Sequence, residues 1–212
     1  MITALFDLDG TVTDPGVGIT NSVMYALRRF GIEPPERKEL YCFIGPPLRE
    51  SFSKYFGLSD NDAEKAVGYY REYYRPKGIF ECTLYDGILD TFERLTAAGV
   101  KVALATAKPE VFAEKIAAHF GFDKYMSLIS GASLDASRDD KAVIIARALE
   151  SLPGADKSGS YMTGDRAYDI DGGKKNGLLT VAALYGYGTE KELSHADFKA
   201  DTAYDIANII LK

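Results

Sequence analysis

The sequence predicts an α/β protein: a Rossmann-like, mostly parallel sheet with helices on both faces and an inserted α-helical cap. Beyond residue 85, short apolar runs alternate with amphipathic helical stretches, as in successive βαβ units. Residues from about 16 to 78 instead read almost wholly as helix, between the first strand and all the others. Several of the apolar runs also end in polar residues, where an open α/β sheet places its ligand crevice. These readings divide the chain into a core of residues 1–14 and 82–212 and a cap of residues 15–81.

"MITALFDLDGTVTD" opens with Ile2, Ala4, Leu5 and Phe6, a buried strand that runs into Asp7 and Asp9. In the cap, Val17, Val23, Met24, Leu27 and Phe30 form the apolar stripe of a first helix, ended by Gly31 and the prolines at 34–35. A second helix is expected over 36–42, and "FIGPP" at 43–47 cannot continue it. Further helices follow over Leu48 to Phe56 and from Asp60 to about Tyr74, the latter placing Tyr69, Tyr70, Tyr73 and Tyr74 on one broad packing face.

In the core, "YDGILDTFERLTAAG" is a helix with a glycine stop and "VKVALAT" a buried strand. "PEVFAEKIAAHFG" is the next helix, with Pro109 in its first turn. A strand near 126–130, a helix near 139–151 and a strand ending in "SYMTGD" come next. "YDIDGGKKNG" is expected to be helical despite its glycines, "LLTVAAL" is a strand, and "AYDIANII" a short strand with a terminal helical turn.

The balance of 46% hydrophobic and 26% charged residues is that of a globular chain, and the formal charge of −6 offers no global field for nucleic acid or an anionic membrane. A small anionic substrate is still compatible, because a metal or a few local cations invert the potential at one site. Cys42 and Cys82, the only cysteines, are too few for a disulfide framework. With no export or membrane signal, the cytoplasm is the expected compartment.

Polar residues gather at the ends of the predicted strands: Asp7 with Asp9, Thr106 with Lys108, Lys141 at its helix start, and Asp165 with Asp169. Asp7 is the candidate nucleophile, since a carboxylate attacking phosphorus divides one hard displacement into two. Asp9 is placed to protonate the leaving oxygen and later to take a proton from water. Thr106 supplies a hydroxyl donor, Lys141 a charge that neutralises the phosphoryl group, and Lys108 a candidate for the pocket rim. The hard oxygens of Asp165 and Asp169 suit Mg²⁺, with Asp165 as a direct ligand and Asp169 either direct or held through water or Lys141. In the cap, Gly45 and Pro46 form a tight loop, and Arg49 can reach a carboxylate, second phosphate or base edge.

The chain resembles the haloacid dehalogenase superfamily, and within it the phosphoglycolate-phosphatase-like members whose helical cap follows the first strand. The motifs are "DLDGT" at 7–11, Thr106 in "LATAKP", Lys141, and "GDRAYD" at 164–169. The resemblance implies an Asp7 nucleophile, an Asp9 acid/base, and Mg²⁺ held by Asp7, the Asp9 carbonyl and Asp165, with Asp169 in support. True dehalogenases lack the second aspartate, so Asp9 implies phosphatase or phosphomutase chemistry. "FIGPP", "GASLDASR" at 131–138 and "YGYG" resemble members described as 5'-nucleotidases. The expected partner is a small phosphorylated metabolite, the expected state a monomer or weak dimer. Alternatives are a phosphoglycolate or sugar-phosphate phosphatase, a β-phosphoglucomutase-like enzyme, and a non-catalytic phosphate-binding module. The last has no need for the full acidic set.

Overall fold

The computed structural model describes residues 1–134, 140–154 and 156–212. The chain forms two compact units: Met1–Thr13 with Leu84–Lys212, and Asp14–Thr83. The first holds strands β1 (Thr3–Phe6), β4 (Lys101–Pro109), β5 (Met126–Ala132), β6 (Tyr161–Gly164), β7 (Leu179–Ala183) and β8 (Phe198–Ala200). They make one six-stranded sheet in the order β5-β4-β1-β6-β7-β8, every neighbouring pair parallel. A separate two-stranded sheet pairs β2 (Thr13–Asp14) with β3 (Thr83–Leu84).

Sequence order runs outward from β1 in both directions, so β1 lies at the point where a doubly wound sheet opens a crevice beyond its carboxyl ends. Helices α4 (Ile88–Ala97), α5 (Glu110–Phe120), α6 (Lys141–Ser151), α7 (Ala167–Lys175) and α8 (Ala203–Ile210) complete this unit. Strand alternation turns adjacent side chains to opposite faces. Leu5 accordingly packs with Ile144, Ile145 and Ala148 of α6, while Phe6 meets Phe92 of α4 edge-on, centroids 5.1 Å apart. Both faces of the sheet are therefore covered by helix.

The second unit contains α1 (Gly16–Arg29), α2 (Leu48–Phe56) and α3 (Asp60–Tyr74). The helix expected over 36–42 is a 3-10 helix, Arg37–Phe43, held to α1 by the Arg37 guanidinium. That group donates to the Asn21 side chain at 2.8 Å, to the Val17 carbonyl at 3.3 Å and to the Thr20 hydroxyl. Val17, Met24 and Phe30 do not join the buried stripe of α1, Met24 and Phe30 being half-buried. Its inward residues are Ile19, Val23, Ala26 and Leu27, and Val17 is exposed. Gly18 lets α1 approach the Gly78 backbone, where an added Cβ would fall 2.0 Å from the Gly78 carbonyl oxygen.

Two further expectations are corrected. Pro109 ends strand β4 instead of opening the first turn of α5, which begins at Glu110. "AYDIANII" is wholly helix α8, because Thr202 and Asp205 form a capping box at its start; the strand lies upstream at β8. Of the segment 131–138, residues 135–138 lie outside the described residues.

Phe92 is fully buried and touches Phe6, Phe122 and Tyr125 with ring centroids 5.1, 6.0 and 6.1 Å away. Phe92→Ala is expected to cost about 3–5 kcal/mol through lost burial and a residual cavity. The check is urea unfolding, with a lower midpoint at unchanged slope.

Candidate active site

Strand β1 delivers the first acid. Beyond Phe6 the chain turns sharply, and the Leu8 carbonyl accepts from the Val12 and Thr13 amides at 2.9 Å each. Leu8 is fully buried, which leaves Asp7 and Asp9 on the other side of the backbone. Gly10 makes the turn with φ 85°, a conformation that favours glycine. It also clears the space beside Asp165, whose Oδ2 would lie 2.2 Å from a Cβ at position 10.

Strand β4 delivers the cations' partners. The Ala105 carbonyl accepts from Lys141 Nζ at 3.0 Å, and the Thr106 hydroxyl oxygen accepts from the Lys108 amide at 3.2 Å. An irregularity in the β4–β5 register falls between Thr106 and Pro109, the stretch that carries Lys108. Lys141 is the first residue of α6, whose start is fixed by the Asp140 carboxylate accepting from the Ala142 and Val143 amides.

Strand β6 and helix α7 deliver the last two acids. Asp165 Oδ2 accepts from the Tyr187 amide at 2.8 Å and Oδ1 from the Thr11 hydroxyl at 3.3 Å. Asp169 turns back to accept from the Arg166 amide at 3.0 Å, capping α7 with one oxygen. Its other oxygen lies 2.8 Å from Lys141 Nζ, and the same ammonium lies 2.7 Å from Asp7 Oδ1. Lys108 Nζ pairs with Asp9 Oδ2 at 2.8 Å.

Four carboxylates, those of Asp7, Asp9, Asp165 and Asp169, thus share a nearly dry site with two ammonium groups, Lys108 and Lys141. Burial pushes Lys141 down, but Asp169 and Asp7 against it outweigh this and hold it charged well above the ordinary lysine value. Burial and the repulsion of Asp169 and Asp7 push Asp165 up to about 8. Burial also raises Asp9, against the pull of Lys108. Among the described residues Asp165 has no ammonium in contact. One oxygen each of Asp7, Asp165 and Asp169 fall within 4.8 Å of one another, a set of hard donors compatible with a divalent cation.

The structure therefore brings together seven of the residues singled out in the sequence: Asp7, Asp9, Thr106, Lys108, Lys141, Asp165 and Asp169. Lys108, which the sequence suggested for the pocket rim, is buried against Asp9. Gly45 and Arg49 belong to the other unit, where Gly45 has φ 102° and Arg49 forms an exposed 3.3 Å pair with Asp60. Sequence reasoning missed Thr11 and the glycine sockets. A Cβ at Gly186 would fall 2.3 Å from Asp165 Cβ, and one at Gly164 would fall 2.1 Å from Asp169 Cγ. The alternating "YGYG" after β7 was the available signal for the first of these.

A family model described as haloacid dehalogenase-like hydrolase matches residues 4–183. The chain is 43% identical over 189 residues to a 5'-nucleotidase of Pseudomonas aeruginosa, covering 89% of this chain and 85% of that protein. It is 39% identical over 184 residues to the tyrosine-protein kinase PtkA of Mycobacterium tuberculosis, covering 87% of this chain but 62% of the kinase. The crystal structure of a predicted phosphatase from Clostridium acetobutylicum superposes with a TM-score of 0.93 at 39% identity, covering 99% of this chain and 98% of that one. Among the described residues no helix is long and apolar enough to cross a membrane.

The acid excess generates a stability prediction. A carboxyl raised to about 8 in the fold binds more protons there than in the unfolded chain. In chelator-treated protein the contribution of Asp165 to stability should therefore fall as pH rises from about 4 to about 8. Asp165→Asn removes the charge while its carbonyl oxygen still accepts from Tyr187. Its Tm at pH 8 should exceed that of the metal-free parent by roughly 2–6 °C, and the gap should shrink at pH 5. Differential scanning calorimetry reads both; a lower Tm for the variant at pH 8 contradicts the charge account.

Proposed function

The chain belongs to the haloacid dehalogenase-like hydrolase family and is an enzyme of phosphatase type, and on that premise we propose a Mg²⁺-dependent phosphomonoesterase acting on a small soluble phosphate. The observation that carries this reading is Asp7 itself: a buried carboxylate at a strand end, with Oδ1 held 2.7 Å from Lys141 Nζ. An Asp7 oxygen attacks phosphorus, the bond from phosphorus to the leaving oxygen breaks, and the phosphoryl group passes to Asp7 as an aspartyl phosphate. Asp9 gives its proton to the leaving oxygen. A water then attacks phosphorus as Asp9 takes its proton, the Asp7–phosphorus bond breaks, and inorganic phosphate leaves.

Lys141 and the Thr106 hydroxyl stabilise the phosphoryl oxygens as charge develops. Asp7, the Asp9 carbonyl and Asp165 would hold Mg²⁺, with Asp169 in support. When bound, the ion offsets the excess of carboxylates and reduces their repulsion of the incoming phosphate. The substrate class is a nucleoside monophosphate, supported by the motif resemblance and by the relative named a 5'-nucleotidase. Substrate choice is assigned to Gly45 and to Arg49, which would exchange its exposed 3.3 Å pair with Asp60 for a second anionic or polar group of the substrate.

Asp7→Asn should fold and lose phosphate release by about 10⁴-fold or more, and Asp9→Asn by about 10²–10⁴-fold. The assay is steady-state phosphate release on nucleoside 5'-monophosphates, phosphoglycolate, hexose phosphates, pyrophosphate and phosphotyrosine. Nucleoside monophosphates should give the highest kcat/KM, and Arg49→Ala should depress that value far more than the value for p-nitrophenyl phosphate. Near-normal turnover by folded Asp7→Asn would remove covalent catalysis. Isomerised sugar phosphate without released phosphate would assign a mutase.

A further inference from the structure

Lys108 is the group in the site to which neither the phosphoryl transfer nor the metal gives a task. Its side chain is nearly fully buried, and its ammonium is spent on an acid of the same site, 2.8 Å from Asp9 Oδ2. Two constraints fix it there. The Lys108 amide donates to the Thr106 hydroxyl oxygen at 3.2 Å, and the β4 register slips between Thr106 and Pro109. Asp9 Oδ1, by contrast, is buried and accepts no hydrogen bond from the described residues. The two oxygens of one carboxyl are therefore unequal: Oδ2 is held by a cation that repels a proton, and Oδ1 receives no hydrogen bond among the described residues.

We infer that Lys108 is a positioning residue for Asp9, fixing its carboxyl so that Oδ1 carries the transferred proton while Oδ2 stays bound to the ammonium. This rests on the acid/base role of Asp9 proposed above and adds to it the residue that sets which oxygen acts. Lys108 itself exchanges no proton. Asp9 Oδ1–H protonates the leaving oxygen as its bond to phosphorus breaks, and the same Oδ1 later takes the proton of the attacking water. A fixed carboxyl is worth more than a mobile one because proton transfer needs the donor within hydrogen-bond reach of the leaving oxygen. An alternative task, gripping the substrate's phosphoryl group, would make every substrate depend on Lys108 alike.

The two tasks separate by leaving group. p-Nitrophenolate departs with little need of a proton, whereas phenolate needs one, and neither substrate offers the protein much beyond its phosphoryl group. Rapid-quench measurement of phosphoenzyme formation, with Mg²⁺ present, isolates the step in which the leaving oxygen is protonated. Lys108→Met should slow it about 100-fold on phenyl phosphate and less than about 5-fold on p-nitrophenyl phosphate, with KM for both changed less than about 3-fold. Lys108→Arg, which keeps the charge, should recover at least about 10-fold of the phenyl phosphate loss. In the Asp9→Asn background, Lys108→Met should cost nothing further on phenyl phosphate, as expected for two residues acting as one unit.

Equal losses on the two substrates, or a loss confined to KM, would overturn the inference by assigning Lys108 to the phosphoryl group. Additive losses in the double variant would overturn it as well. If Asp9→Asn itself shows no dependence on the leaving group, the acid/base reading fails first and the inference falls with it. A folded Lys108→Arg, checked by near-UV circular dichroism, keeps the test valid should Lys108→Met be unstable.

Discussion

The ammonium group of Lys141 is the constraint on which the site depends. It has three N–H donors, and the Ala105 carbonyl, Asp7 Oδ1 and Asp169 Oδ1 lie 3.0, 2.7 and 2.8 Å away. Each partner comes from a different part of the chain: strand β4, the end of β1, and the first turn of α7. One buried cation thus ties the carboxyl ends of the sheet to the helices behind them. An outward-running strand order supplies the geometry, since it puts β4 and β6 on either side of β1.

The same arrangement leaves an electrostatic debt. Lys141 and Lys108 offset two of the four carboxylates, and Asp165 is buried against the Tyr187 amide and the Thr11 hydroxyl, with no ammonium in contact among the described residues. A carboxyl in that position resists ionisation, which is why it is held up to about 8. Proteins retain such costs where chemistry needs them, and the surrounding packing is correspondingly permissive. Glycines at 10, 164 and 186 give the acids room that any Cβ would close. The glycines and the acids form one design: an acidic cluster with space and charge left for a hard cation and an anionic substrate.

Much of this was legible in the sequence, for identifiable reasons. Asp7, Asp9, Thr106, Lys141, Asp165 and Asp169 each stand where an apolar run ends or a helix begins, so their convergence follows once the runs are read as parallel strands. What escaped was set by three-dimensional neighbours. Nothing in "TAKP" says that Lys108 turns inward to Asp9, because the register slip that carries it is a property of the β4–β5 pair. Val17 looked like part of a stripe that Ile19 occupies instead: on α1 Ile19 is buried and Val17 is exposed, a choice made by what packs against the helix. In "AYDIANII" the apolar content suited strand or helix equally, and the Thr202–Asp205 capping box decided for helix.

The central claim is that the buried acids are arranged around a place for one divalent cation, with Asp165 its indispensable member. Isothermal titration of Mg²⁺ into chelator-treated protein tests this most directly, because it reads binding without substrate or turnover. The account predicts saturable uptake of one ion per chain by the wild type and none of it by Asp165→Asn. No saturable binding by the folded wild type, or undiminished binding by the variant, would contradict it.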